Sequence, residues 1–452
     1  MNPQEYLRAN RDRLIDELME WIRLPSVAGV PAHDPDLARS ANWLAARLRE
    51  IGFPAVEVWP TGGGPAVYAE WCAAPGAPTV LVYSHHDVRA AKDEQWDQTA
   101  PFQPAVRDGR VYGRGASDAK GQIVAHLWGL RAHLATGERT APAVNLKVLV
   151  EGEEEIGSMH LAGLLDEHGV GADLVLFSDT LLWHAEHPAV CLSLRGMVSA
   201  TLQVYGPARD VHSGAVSGPA PNPAVELCRL LGRLHDDKGR VTLPGFYDDV
   251  LEPIDRYDAL PYSDADWLER SATASIGGEA GYTVPERLWA RPAAEVLSLV
   301  AGDLGGPSRG AVPAVAAATI SIRTVPDQRA EVVAEQLRRW VAATISDRVR
   351  YELTVAGRIS ADPYRTPAGH PAVAVLAAAM AEGFGTGTVG RMGNAGSGPA
   401  DLLARKLAAP VLFFGTGLPE DAWHDSDESA AIDLLLAGAA TLCAFWQRLP
   451  GT

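Results

Sequence analysis

Four glutamates, Glu151, Glu153, Glu154 and Glu155, crowd five positions of the stretch VNLKVLVEGEEEIGS, directly after an apolar run that reads as a buried strand. Carboxylates this close repel, and each is costly beside an apolar core unless a cation or hydrogen bonds compensate it. The stretch calls for positive charge. Other strand ends carry matching chemistry: YSHHD supplies His85, His86 and Asp87, and SDT supplies Asp179. GRGASDAKG places Asp118 just ahead of a helix, and PEDAWHDSDE places His424 in a loop after an apolar strand. Imidazole and carboxylate gathered without thiolate suit hydrolytic zinc, and also manganese or cobalt. Two cations would account for so many acids. Each feature also has an ordinary reading: a lone histidine after a strand is commonly structural, and a glutamate run can open a solvated helix. What points to a metal site is recurrence at separate strand and loop ends.

Those ends must be held by a scaffold. PTVLVYSHHDV, VNLKVLVEGEEE and ADLVLFSDT are short continuous apolar runs, as strands buried on both faces are, and GQIVAHLWGLRAHLATG between them has helical period. This alternation predicts an α/β fold, a mixed, largely parallel sheet covered by helices, with ligands at the carboxyl ends of the strands. Midway the pattern changes. AVCLSLRGMVSATLQVYG and AAATISIRTVP alternate as half-exposed strands do, while NPAVELCRLLGRLHDD and DQRAEVVAEQLRRWVAATI are amphipathic helices. The reading is a catalytic domain over 1–187 and 363–452, interrupted by a two-layer α+β module over 188–362.

Composition bounds the partners. The 452 residues carry 56 acidic against 39 basic side chains, a formal charge of −17, which argues against nucleic acid or an anionic membrane surface. The four cysteines form no CxxC pair, and no apolar run of transmembrane length or signal-peptide core is present, so a cytoplasmic location is expected. No GxSxG elbow marks a serine hydrolase.

The ordered set YSHHDV, GRGASDAKG, EGEEEIGS, SDT, DVHSG and WHDSDE resembles the co-catalytic metallopeptidases and amidohydrolases, a family including carnosinases, cytosolic dipeptidases, aminoacylases and succinyl-diaminopimelate desuccinylase. The resemblance spans nearly the whole chain. It implies that His85 and Asp179 bind one ion, Glu155 and His424 the other, and that Asp118 bridges them. It implies further that Glu154 is the general base and that Asp87 steadies His85, as a partner of a ligating histidine does. Glu151 and Glu153 are then structural acids. Because neighbouring side chains of a strand point to opposite faces, only one of His85 and His86 can face the metals, and the resemblance selects His85. His126 and His133 read as packing or surface histidines.

On the substrate side the resemblance makes His212 of DVHSG a donor to the tetrahedral oxyanion in the partner subunit's active site, and Arg323 of SIRTVP the grip on the substrate carboxylate. It assigns Asn222 a lid contact and lets Gly396 and Ser397 of NAGSGPAD donate to that carboxylate. Two departures stand out: Ala395 and Gly398 alter the usual Gly-Gly-Ser-Ile-Pro loop, and Gly310 occupies a threonine position. LPGFYDDV and ERLWARPAAEVLSLVAG resemble the long lid of the dipeptidase and carnosinase group. The expected activity is metal-dependent hydrolysis of dipeptides or small peptides, with an N-acyl or N-carbamoyl amino acid amidohydrolase as the alternative. A homodimer through the inserted module is implied by the resemblance alone.

Overall fold

The computed structural model describes residues 1–252, 257, 260–302, 309–357 and 361–451. Its largest sheet has nine strands. Four of them, Asn145–Glu151, Thr79–His85, Leu174–Phe177 and Val411–Phe413, lie side by side and parallel. Ala66–Trp71 and Ala55–Trp59 extend one edge antiparallel, while Ala189–Leu194, Tyr364–Arg365 and Gly390–Asn394 extend the other. The central strands are mostly apolar because both faces are covered. Val80 and Val82 face one core with Trp21, Trp128 and Trp446, whereas Leu81 and Tyr83 face a second with Phe177 and Phe413.

The helix Lys120–Thr136 starts directly after Asp118 and is buried along nearly its whole length, packed against the terminal helix Ile432–Arg448. His126 and His133 are therefore both interior. Since parallel strands end on one edge, His85, Glu151, the segment after Phe177 and the segment after Phe413 emerge together.

A separate antiparallel sheet of four strands runs in the order Ala293–Ala301, Val315–Thr324, Gly196–Tyr205, Arg350–Val355. Val198, Ala200, Leu202 and Val204 face a core shared with the helices Pro223–Leu231 and Ala330–Thr344, while Thr201 and Gln203 are exposed. The alternation read along AVCLSLRGMVSATLQVYG holds for its second half only. Ala189–Leu194 is buried at every position and belongs to the large sheet. The chain passes from one sheet to the other between Leu194 and Gly196.

Candidate metal centre

At the end of its strand His85 is fully buried, with Nε2 3.1 Å from Asp118 Oδ1 and 3.7 Å from Asp179 Oδ1. From the opposite side, His424 Nε2 lies 2.9 Å from Asp118 Oδ2 and 3.4 Å from Glu155 Oε2. Two triads result, His85–Asp118–Asp179 and Asp118–Glu155–His424, each with its ligand-type atoms within 4.8 Å of one another and both sharing Asp118. Glu154 belongs to neither and lines the adjoining cavity.

The local backbone explains this convergence. Asp87, fully buried, accepts the backbone N–H groups of Glu154 at 3.2 Å and Glu155 at 3.0 Å, and its Oδ1 is 3.4 Å from His85 Nδ1. One residue thus fixes both: its carbonyl, 3.1 Å from His85 Nδ1, holds the imidazole, and its carboxylate holds the glutamate turn. His86 points the other way: its Nε2 sits 2.8 Å from the Pro65 carbonyl, and burial lowers its pKa to about 4. The surplus acids are used structurally. Glu151 accepts the Tyr83 hydroxyl, and Glu153 pairs with His160 Nδ1 at 2.7 Å.

Electrostatically the centre is short of positive charge. Burial, then the Asp179 charge, holds the Glu154 carboxyl well above its ordinary value. Burial and the Asp118 charge push Glu155 up to about 8, and burial raises Asp179. Asp118 alone goes down: burial opposes its ionisation, but hydrogen bonds from His424 and His85 outweigh that cost. Asp179 Oδ1 is buried with no hydrogen bond among the described residues. Crowded carboxylates, an unpartnered oxygen and imidazoles aimed at the same space fit a pair of divalent cations.

The cavity beside the centre has a volume of about 1210 Å³. Asp118, Glu154, Glu155, Asp179, His424, Arg323, Gly396 and Ser397 line it. Arg323 Nη1 donates to Ser397 Oγ at 3.3 Å and has no carboxylate partner among the described residues. His85 and Asp87 lie beneath the lining. His212 and Asn222 are not brought to it within one chain. His212 is exposed in a short pairing of Val211–His212 with Ala311–Val312, and Asn222 caps the helix Pro223–Leu231 by accepting the Ala224 N–H at 3.0 Å. Gly310 has φ +60°, where glycine is favoured over threonine, and its carbonyl accepts the Ser213 N–H at 2.7 Å.

Three contributors escaped the sequence reading. Glu428, fully buried, accepts the N–H groups of Gly115, Ser117 and Asp118, each at 3.0 Å, and the Arg114 guanidinium at 2.8 Å, so it shapes the loop that presents Asp118. Its place four residues after His424 was the available signal. Arg89 Nε lies 2.7 Å from Glu155 Oε2. Arg195, buried, donates from Nε to the Ala395 carbonyl at 3.2 Å; burial, together with the Arg323 charge, brings it down to about 9. Arg323 pairs with Met197 across the sheet, so Arg195 stands diagonally from it on the same face.

This architecture defines a class: a helix-covered, largely parallel α/β protein with a candidate two-metal ligand group at its strand ends. The particular family follows from comparison. The family model described as "Peptidase family M20/M25/M40" matches residues 81–448, and the chain belongs to that family. A cysteinylglycine-S-conjugate dipeptidase of Corynebacterium striatum is 28% identical over 432 residues, covering 94% of this chain and 92% of its own. Human beta-Ala-His dipeptidase is 29% identical over 364 residues, covering 76% and 71%. A metallo-carboxypeptidase from Sulfolobus solfataricus superposes with a TM-score of 0.86 at 26% identity, covering 97% of this chain and 99% of its own.

Proposed function

We propose that the protein is a metallo-dipeptidase with a two-metal centre, with His85, Asp118 and Asp179 holding one ion and Asp118, Glu155 and His424 the other. The observation that carries this reading is the pair of triads sharing Asp118, with Glu154 outside both and facing the cavity. Divalent ions held there would acidify a water molecule and polarise the amide carbonyl. Glu154 takes the proton of the attacking water as its oxygen bonds to the carbonyl carbon, then passes it to the nitrogen as the C–N bond breaks. Arg323, with the Ser397 hydroxyl beside it, grips the free carboxylate of the substrate, while the Gly396 N–H is donated to Asn394 Oδ1 at 2.8 Å, and Asp87 keeps His85 oriented. Zinc suits the imidazole and carboxylate donors, with manganese and cobalt as competitors.

The division into a catalytic domain and an inserted lid belongs to the same proposal, with the passage placed at the Leu194–Gly196 crossover. So does a homodimer. The strand Ala293–Ala301 is a sheet edge, and it exposes Val296, Leu297, Leu299 and Val300, an apolar row that an edge strand leaves uncovered only where another chain pairs with it or covers it. In such a dimer His212 serves the partner's site as oxyanion donor, and Asn222 lies near the substrate-side lid. No described helix is long and apolar enough to cross a membrane, and the acidic charge disfavours nucleic acid; the proposed location is the cytoplasm.

The test is metal-stripped protein resupplied with zinc, manganese or cobalt and offered dipeptides alongside N-acetyl, N-succinyl and N-carbamoyl amino acids. Metal-dependent release of amino acids from dipeptides is expected; cleavage of the acylated compounds alone would move the assignment to an amidohydrolase. Glu154→Gln should lower kcat by about 10²–10⁴-fold while two ions per chain remain. Loss of metal with activity would make Glu154 a ligand rather than the base.

A further inference from the structure

The cavity exceeds the need of a small dipeptide. Sites that engulf drug-sized ligands span about 300–1,000 Å³, and this one reaches about 1210 Å³. Its far side is built from aromatic and aliphatic groups. Trp289 stands edge-on to Trp183, ring centroids 5.0 Å apart, and both are nearly buried. Trp267, on the short helix Asp264–Arg270, and Leu288 are only half-buried and line the cavity. A wall serving packing alone would have no reason to leave those two open to it.

The backbone ties this wall to the reacting end. A Cβ at Gly393 would fall 2.6 Å from Trp289 Cβ and 2.7 Å from Ser193 Oγ, so Trp289 is seated directly on the loop and glycine is required there. Five residues later, a Cβ at Gly398 would lie 3.6 Å from Glu154 Oε1. One five-residue loop therefore carries both the wall and the reacting end, which keeps the two within about 18 Å of each other.

We propose that the preferred substrates are dipeptides bearing a large aromatic or apolar side chain, which Trp267 and Leu288 contact against the Trp289 backing. The proposal rests on the dipeptidase reading and narrows it. Arg270 completes this end of the cavity: its guanidinium lies over the Trp183 ring at 4.8 Å and has no carboxylate partner among the described residues, so a cationic side chain beside it is disfavoured.

Two peptide series, X-Gly and Gly-X with X as Ala, Cys, Leu, Phe, Trp and Lys, are hydrolysed by the metal-loaded full chain and by Trp267→Ala and Leu288→Ala. In at least one series, kcat/KM for Phe and Trp should exceed that for Ala tenfold or more, with Lys lowest. Trp267→Ala should erase most of that preference while the Ala peptide stays within about twofold. Equal rates for Ala, Cys and Trp in both series, or a uniform loss in the variant, would overturn the proposal. Should Trp267→Ala fail to fold, Leu288→Ala and Trp267→Phe carry the comparison. Calorimetric binding to the Glu154→Gln protein supplies a readout free of turnover. Tighter binding of Trp than Ala peptides, lost in Glu154→Gln/Trp267→Ala, upholds the wall even if no dipeptide is cleaved, in which case only the reaction is misassigned. Equal binding with good turnover of small peptides does the reverse.

Discussion

The two ends of the cavity are built on different rules. At the metal end, side chains of restricted type gather where parallel strands stop: His85 ends its strand, Asp179 follows Phe177 by two residues and Glu155 follows Glu151 by four, while Asp118 and His424 come in on loops. At the far end, Trp183, Trp267, Leu288 and Trp289 come from loops and short helices, with types that serve any core equally well. Reaction chemistry is therefore fixed by a few positions with little latitude, whereas selectivity is spread over segments that can vary without disturbing it. The predictions below probe whether the metal end is as self-sufficient as this contrast makes it.

The oxyanion donor proposed for it is missing. His212 does not reach the cavity of its own chain, so a monomer should be the weak form. Leu297→Glu puts a charge into the exposed apolar edge of Ala293–Ala301, where Leu297 is 67% exposed, and should yield monomers in sedimentation with little change in fold. His212→Ala should leave the dimer intact and lower kcat by about 10²–10³-fold, as loss of an oxyanion donor does. Mixing His212→Ala with Glu154→Gln chains should recover up to about a quarter of wild-type activity through sites drawing on both subunits. A fully active Leu297→Glu monomer, or failure of the mixture to recover, would show that each metal end is complete within one chain.

Next in size is the support under Asp118. Glu428→Gln keeps the shape but loses the charge facing Arg114 and turns an amide N–H₂ toward backbone donors. Removing one member of a buried pair costs about 3–5 kcal/mol, and disturbing a group that orients metal ligands weakens metal binding about 10–100-fold. Chemical denaturation and metal titration read the two effects. If both stay at wild-type values, the Asp118 loop holds itself and the metal end is less interdependent than its hydrogen bonds imply.

How much of this was legible depended on the range of the cause. His85, Glu154, Glu155 and Asp179 are local events, a polar type at or just past the end of an apolar run, Asp118 stands just ahead of a helix and His424 in a loop, and the chain brings all six to one cavity rim or directly beneath it. Strand alternation let only one of His85 and His86 face the centre, the resemblance selected His85, and His86 points away to the Pro65 carbonyl. Glu428 escaped because its partners lie more than 300 positions away in the chain, and Arg195 because its neighbour Arg323 is set by cross-strand register. Ala189–Leu194 misled for a related reason. Its serine and cysteine suggested a half-exposed strand, but Ser193 is buried all the same and the Cys191 thiol donates to the Ser193 carbonyl at 3.3 Å. Cysteine buries as readily as an aliphatic residue.

The smallest effect separates two histidines held by the same scaffold. His85 is buried yet its pKa is raised, because the carboxylates of Asp118, Asp179 and Asp87 around it outweigh desolvation. His126 is equally buried on the opposite side of the sheet, Nε2 sharing a short contact with Ser178 Oγ, and burial alone lowers it to about 3. Its folded pKa lies below the ordinary 6.5 of a free histidine, so the stability it contributes is complete above that value and is lost as pH falls from 6.5 through about 3. Its limiting slope is about 1.4 kcal/mol per pH unit. His133, depressed to about 4, adds to the same trend. Subtracting the pH profile of His126→Gln from that of the wild type isolates the first residue, since His133 and the carboxylates are common to both. Chemical denaturation between pH 7 and 4 should show the two curves closing as pH falls. Parallel curves would mean that His126 is already charged inside the fold, and that burial does not divide the two histidines.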